Sequence, residues 1–313
     1  MTACWEHDSA AESRSFVLHS SPPLIGYVPP LEPTLVDEPP QGDAWLHEIK
    51  HDGYRTLIAI NGKDIRAFTK KGNDYTRQFA SITSAAANLA TASALIDGET
   101  IVQDEIGRSD FHALRGAITG EPHRLIYYGF DLLFCDGEDL RRLPCEERRS
   151  RLCALLGPND PRCPLQFSEG VVGAGRWMLA QACEMGLEGI VSKRRDSKYR
   201  SGKSTAWLKT KCMDEGTYCV LGAEHEAGKP AFALLAREGP DGLEYVGSAF
   251  VTLGGPERDA FWDAVERHAC RSPAIKMVGH KKARWIEPGL RVRVEHLKGP
   301  GKLRHAKIRE IVS

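Results

Sequence analysis

Short runs of alternating apolar and polar residues begin at Trp45 and continue almost to the end of the chain. WLHEIKHDGYRTLIAI (45–60) alternates and is bounded by Gly42 and by Asn61-Gly62, a pair suited to a tight hairpin turn. IRAFTK (65–70) reads as the returning strand. DYTRQFASITSAAANLA (74–90) has the apolar spacing and alanine content of a helix. LIDGETIV (95–102), RLIYYGFDLLF (124–134), GIVSKR (189–194) and AWLKTK (206–211) are short strand candidates. EERRSRLCALL (146–156) and GRWMLAQACEMG (175–186) read as helices between them. Strands and helices mix without strict βαβ alternation. That predicts an α+β fold with largely antiparallel sheets.

A second pattern starts near Met213. TYCVLGAEH, AFALLAR, LEYVGSAF, RWIEPGLRVRVEHL and RHAKIREIV are five strand-like runs, interrupted by one helix, PERDAFWDAVERHA. Five short strands and one helix in about 100 residues fit a small β-barrel such as an OB-fold. The segment before the first strand is different. Residues 1–40 carry six acidic residues against Arg14 alone, and seven prolines. Such a segment is expected to be weakly ordered. The reading is therefore a weakly ordered segment at 1–40, a first domain at 41–212 and a barrel at 213–313.

Composition changes this picture little, but charge placement does. At 313 residues, with 42% hydrophobic and 27% charged residues, the chain is an ordinary globular sequence with room for two cores. Formal net charge is zero, yet residues 191–211 hold eight lysines and arginines against Asp196, and the stretch 276–309 is also basic. A neutral sum thus hides two cationic surfaces suited to phosphates; a solvated basic face is the plainer account. Nine cysteines are scattered without a C-x-x-C pair, so reduced thiols and no zinc site are expected. No run has the length of a membrane span, and the first residues lack the pattern of a signal peptide. A cytoplasmic protein without a membrane partner is expected. P-loop, H-E-x-x-H, G-x-S-x-G and dinucleotide fingerprints are absent.

The chemistry concentrates in Lys50-His51-Asp52-Gly53-Tyr54-Arg55, a K-x-D-G-x-R pattern. Downstream stand Asp97-Gly98-Glu99, Phe130-Asp131-Leu132-Leu133, Glu188-Gly189-Ile190-Val191-Ser192-Lys193 and Trp207-Leu208-Lys209-Thr210-Lys211. Alone, Lys50 reads as a surface lysine at a strand end. A lysine amine attacks phosphorus only when unprotonated, and a solvated lysine has a pKa near about 10.4. Neighbouring cations and burial lower that value. Lys193, Lys209 and Lys211 are expected to converge on Lys50 for this, and to neutralise charge growing on phosphates. Glu99 and Glu188 lie amid apolar strands, where carboxylates are rare unless paired or metal-bound. Phe130 shares its run with Tyr127, Tyr128 and Phe134, as a core phenylalanine would. Glu48 and Lys50 fall on one face by strand alternation.

At these residues the sequence resembles the covalent nucleotidyltransferase superfamily of DNA ligases, RNA ligases and capping enzymes. It is most similar to the ligase module of bacterial ATP-dependent DNA ligases of the non-homologous end-joining type. LVDEPPQGDAWLHEIKHDGYR, RSDFHALRGAI, YYGFDLLFCDGEDLR, MGLEGIVSKR, YRSGKSTAWLKTK and LRHAKIREI carry the likeness, which covers about residues 28–311. It implies a nucleotidyltransferase (adenylation) domain followed by an OB-fold domain. It implies that Lys50 becomes adenylated by ATP, with a DNA adenylate as the next intermediate. Phe130 would stack on adenine. Glu48 would accept from the adenine amino group or hold Lys50, and Ile49 is counted among the nucleotide-binding positions. Arg55 would contact the ribose or nick phosphate. Glu99 would lie near the ribose and the metal, and Glu188 at the metal, Mg2+ or Mn2+. The open alternative for both is a salt bridge to a lysine. Lys193, Lys209 and Lys211 complete the nucleotide site. Lys70 stands where many relatives carry arginine, and Lys203 stands at a similar basic position.

The resemblance further implies nicked or broken duplex DNA as substrate, a monomer, and a bacterial, nucleoid-associated location. Ku and separate end-processing polymerase or nuclease proteins would be its partners. One departure stands out. LRHAKIREIVS aligns up to Ile311 with a terminal R-x-D-K-type motif, but Val312 falls where the arginine is expected. The expectation is that adenylation from ATP is slow or that another basic residue substitutes for the motif. An RNA ligase or capping-type enzyme, and a non-catalytic DNA-end-binding protein on a ligase scaffold, are the two rival readings.

Overall fold

The computed structural model describes residues 25–312, apart from Asp241, Met277, Val278, Lys281 and Pro300. The first unit runs β1 (Leu31–Leu35), β2 (Gly42–Ile49), β3 (Tyr54–Asn61), β4 (Asp64–Thr69), α1 (Ala80–Ala86), β5 (Ser93–Ile101), α2 (Phe111–Gly120) and β6 (Ile126–Cys135). It continues β7 (Glu138–Asp139), α3 (Cys145–Leu156), β8 (Leu165–Phe167), β9 (Gly170–Gly173), α4 (Gly175–Glu184), β10 (Gly189–Arg194) and β11 (Gly202–Lys211). The second unit is β12 (Met213–Glu224), β13 (Phe232–Gly239), β14 (Gly242–Phe250), α5 (Gly255–Arg267), β15 (Arg284–Trp285), β16 (Arg291–Leu297) and β17 (Lys307–Val312).

The first unit holds two mainly antiparallel sheets, in the orders β1-β11-β10-β2-β9 and β4-β3-β5-β6-β7, with β8 parallel beside β6. Leu57, Ala59, Leu95 and Leu133 of the second sheet pack with Leu31 and Trp207 of the first. The other face of the second sheet packs Ile58, Ile60 and Ile96 against helices through Ile82, Leu114 and Leu152. In the second unit, β12 pairs with β13 and β16, and the path β13-β14-β17-β16 closes a barrel. That strand order, with α5 between the third and fourth long strands and a parallel closing pair, is the OB-fold expected from the pattern. Its interior is Val220, Leu235, Val246, Val292 and Ile308.

Three local expectations need correction. The alternating run 45–60 is two strands in two sheets, with the chain crossing over at Lys50–Gly53. Gly53 permits the crossover, because a Cβ there would collide with the Thr100 carbonyl. The helix expected over 74–90 is confined to α1, because Asp74 bridges to Phe68 and accepts from the Thr76 amide at 2.9 Å. The segment expected to be weakly ordered at 1–40 contains β1, whose Leu31 is fully buried and which pairs in parallel with β11. Residues 1–24 lie outside the described residues. The cysteine reading also changes. α4 packs against β10 and β2, in a cluster that includes Cys212 just after β11; the Cα atoms of Cys183 and Cys212 lie 5.1 Å apart, and the two form a disulfide. The other described cysteines are free.

Candidate active site

The crossover loop puts Lys50 where the two sheets part. Its amide donates to the Gly189 carbonyl at 2.9 Å, so the end of β2 is tied to the start of β10. Gly189 has φ +144°, and a Cβ there would collide with the Thr210 carbonyl. The close approach therefore requires glycine next to Glu188. Around Lys50 opens a cleft of about 170 Å3, lined by Pro33, Glu48, Ile49, Lys50, His51, Arg55, Glu99, Phe130, Val191, Lys193, Trp207 and Lys209. Of the residues singled out from the sequence, Glu48, Ile49, Lys50, Arg55, Glu99, Phe130, Lys193 and Lys209 thus share one wall system.

Glu188 is buried beneath the cleft and pairs with Lys50; its second oxygen lies 3.1 Å from Lys211 Nζ. Burial alone would raise the Glu188 carboxyl, but Lys50 and then Lys211 outweigh it and hold the group below its ordinary range. Glu99 differs. Among the described residues its side chain makes no ion pair or hydrogen bond. Burial pushes its carboxyl up to about 7 against the pull of Arg55 and Lys50. Lys209 is shifted down, first by burial and then by Lys50 and Lys211.

The far wall is built of cations over aromatic faces. Phe130 is edge-on to Trp207 at 6.0 Å. The Arg55 guanidinium lies 4.5 Å and the Lys193 ammonium 4.4 Å from the Phe130 ring centre. Arg55 is itself locked by a bidentate pair with Asp97, at 2.6 and 2.7 Å. Lys193 does not converge on Lys50. It is fully buried and pairs with Glu48 at 2.8 Å, while donating to the Phe130 carbonyl at 2.9 Å. Glu48 is held by Lys193 and, at 2.5 Å, by Arg149, so it does not hold Lys50. Lys70 and Lys203 stand outside the cleft near Glu32: Lys70 pairs with Glu32 at 3.0 Å, and Lys203 is its exposed register partner across β1 and β11.

Several contributors were not evident from the sequence. Arg149 is buried, braces Glu48 and donates to the Ser168 carbonyl at 2.7 Å; the helix pattern of EERRSRL does not show that it turns inward. Tyr199 donates to Asp97 at 2.7 Å and accepts from the Leu31 amide at 2.8 Å, which ties β1 to the site. His51 stacks on Tyr128, with ring centres 4.1 Å apart.

A family model described as "ATP dependent DNA ligase domain" matches residues 33–211, more than half of the chain. The chain belongs to the ATP-dependent DNA ligase domain family. Curated members similar to it include the multifunctional non-homologous end joining protein LigD of Pseudomonas aeruginosa. It is 35% identical over 277 residues, covering 85% of this chain and 33% of that protein. The LigD protein of Mycobacterium tuberculosis is 30% identical over 220 residues, covering 69% of this chain and 28% of its own length. The chain therefore spans about a third of the length of these relatives. Among solved structures, a mycobacterial DNA ligase D complexed with ATP and MES shares the fold. Its TM-score is 0.56 at 24% identity, over 90% of this chain and 94% of that one. No helix of the described residues is long and apolar enough to cross a membrane.

Proposed function

We propose that this chain is an ATP-dependent DNA ligase that seals breaks in duplex DNA through an AMP carried on Lys50. The observation that carries the reading is the position of Lys50. It is the lysine of the ligase motif, it stands at the crossover between two sheets, and it opens into a cleft with an aromatic wall and a cationic rim. The Lys50 amine, once deprotonated, attacks the α-phosphorus of ATP and pyrophosphate leaves. AMP then passes to the 5′ phosphate of a break, which frees the lysine. The adjacent 3′ hydroxyl displaces AMP and joins the strand.

The residues around Lys50 suit each role. Phe130, its ring stiffened by Trp207, Arg55 and Lys193, gives adenine a flat apolar face. Glu48 is neutralised by Lys193 and Arg149, so it presents no bare charge to the base. Arg55, fixed by Asp97, reaches toward the ribose side of the cleft. Lys209 and Lys211 balance phosphate charge. Glu188 orients Lys50 through their ion pair, which has to open for the amine to attack.

A hard divalent cation such as Mg2+ fits the donor set. Among the described residues the Glu99 side chain makes no ion pair, and burial and the nearby charge of Glu188 raise its carboxyl, so the two carboxylates are the residues that would hold the ion. The ion would neutralise charge on the phosphate oxygens. Likeness to the LigD proteins, named for non-homologous end joining, supports a role in end joining. Nicked or broken duplex DNA as substrate, and Ku and end-processing enzymes as partners, belong to the proposed role. Incubating the protein with labelled ATP or GTP, followed by mass spectrometry, tests the reading. One AMP on Lys50 from ATP is the expected result. Labelling by GTP, or at another residue, would refute it.

A further inference from the structure

Among the described residues, one side-chain pair crosses from the two-sheet unit to the barrel: Arg304 with Asp52. Asp52 lies two residues after Lys50, in the loop where the chain changes sheets. Arg304 lies between β16 and β17, on a segment held from three sides. The Leu303 amide donates to Val246 at 2.7 Å, and the Arg304 and Ala306 carbonyls accept from Leu297 and Phe250, each at 2.9 Å. His305, between them, takes φ +53°, a left-handed conformation uncommon outside glycine. Such a residue persists where its surroundings over-determine it. Burial, then the charge of Lys211, hold the His305 imidazole below its ordinary value, and Glu188, Lys50 and Asp52 also act on it. The tip of this segment therefore faces the lysine end of the cleft.

The barrel has a second attachment, at its root. The Cys212 amide donates to the Glu188 carbonyl at 2.9 Å, and the Lys298 amide donates to the Cys212 carbonyl at 2.9 Å. A root at Cys212 and a tip at Asp52 fix the rotation of the barrel about the cleft. The tip is the weaker hold, since it is a single, partly exposed ion pair. Its charge also matters. An unpaired Asp52 beside Lys50 would repel an incoming triphosphate, and Arg304 cancels that charge.

We propose that Arg304 is a positioning residue for adenylation: by latching the barrel to Asp52 it holds the Lys50 loop and its electrostatics ready for ATP, and it does not serve the later joining of DNA. This rests on the reading of Lys50 as nucleophile. The test uses the full chain, Arg304→Ala and Arg304→Lys, with melting curves to establish that each variant folds. Three quantities are compared: the single-turnover rate of labelling by ATP, the rate of sealing a nick that already carries 5′ AMP, and the radius of gyration in solution without nucleotide. Arg304→Ala should slow labelling roughly tenfold, a common size for coupling between two sites. It should leave sealing of the adenylated nick within about twofold, a change too small to mark a lost transition-state contact. Its radius of gyration should rise. Arg304→Lys, which keeps the charge, should recover most of the labelling. Unchanged labelling, or an equal loss in both steps, would overturn the latch. If the unmodified chain takes no AMP, the Lys50 reading fails, and scattering still decides whether Arg304 holds the barrel: an unchanged radius in Arg304→Ala overturns it.

Discussion

Lys50 and Lys211 share the carboxylate of Glu188, one on each oxygen, so the proposed nucleophile and a rim cation are balanced by one buried acid. Removing either lysine leaves the other to neutralise Glu188. Lys50→Ala should therefore fold normally and lose only its chemistry. The expected result is no enzyme–AMP adduct by mass spectrometry, with binding of nicked DNA retained because the exposed basic side chains remain. Self-adenylation by this variant would show that the nucleophile is elsewhere.

Removing Glu188 has the opposite signature. Glu188→Ala leaves Lys50 and Lys211 without their common partner, free to repel each other and to adopt other rotamers. A misplaced nucleophile can cost roughly a hundredfold in rate. Labelling by ATP should fall by about that factor. The melting temperature should fall by only a few degrees, because both lysines are partly exposed and can turn to solvent. A large loss of stability with normal labelling would instead make Glu188 a structural acid.

Much of this arrangement was legible in the sequence, because the ligase motifs are short, local and placed at strand ends. Eight of the marked residues meet in one cleft, and β16 of the barrel alternates exposed and buried positions, whereas β13 is buried at four successive residues. What alternation cannot show is which sheet a strand joins. The run 45–60 looks continuous, yet Gly53 lets it leave one sheet for another, and that break is what exposes Lys50. Nor can charge runs show direction. Of the basic residues in 191–211, Lys193 turns fully inward to Glu48, while Arg194, Lys198, Arg200 and Lys203 face outward. Arg148 and Arg149 lie in a run that the sequence marks only as a helix, yet each is buried against an acid on a strand, Asp131 and Glu48.

His51 links the loop that carries Lys50 to pH. Its imidazole is held down to about 4, first by burial and then by Lys50, while an unfolded histidine titrates near about 6.5. The folded state binds fewer protons in that interval, so its stability is complete above the unfolded value and is lost as pH falls toward the folded one. Wild-type stability should decline across this acidic window. His51→Phe keeps an aromatic ring against Tyr128 and removes the titration, so its decline should be shallower. Thermal melts of both proteins through the window make the comparison. Parallel curves would exclude His51 as a contributor.

Asp97 is the acid most deeply committed to structure. It is fully buried, takes both forks of Arg55 and accepts from Tyr199, whose oxygen receives the Leu31 amide. Arg55 also donates to the Leu31 carbonyl at 3.3 Å, so the same cluster pins β1 at both its first polar groups. Asp97→Ala leaves a guanidinium of which 15% is exposed without its counter-charge, a change that typically costs roughly 3–5 kcal/mol. The urea midpoint should drop accordingly with an unchanged slope. Two local effects should accompany it. Amide exchange across residues 31–35 should accelerate, because β1 loses its anchor. The apparent affinity for ATP should weaken more than in Asp97→Asn, because Arg55 no longer has a fixed seat over Phe130. Arg55→Lys separates charge from geometry: it keeps the positive charge beside Asp97 but cannot pair with both oxygens in the plane of a fork. Stability close to wild type with weakened ATP binding would mean that the fork matters mainly to the adenine wall. Full stability in Asp97→Ala would show that the cluster does not hold the two sheets together.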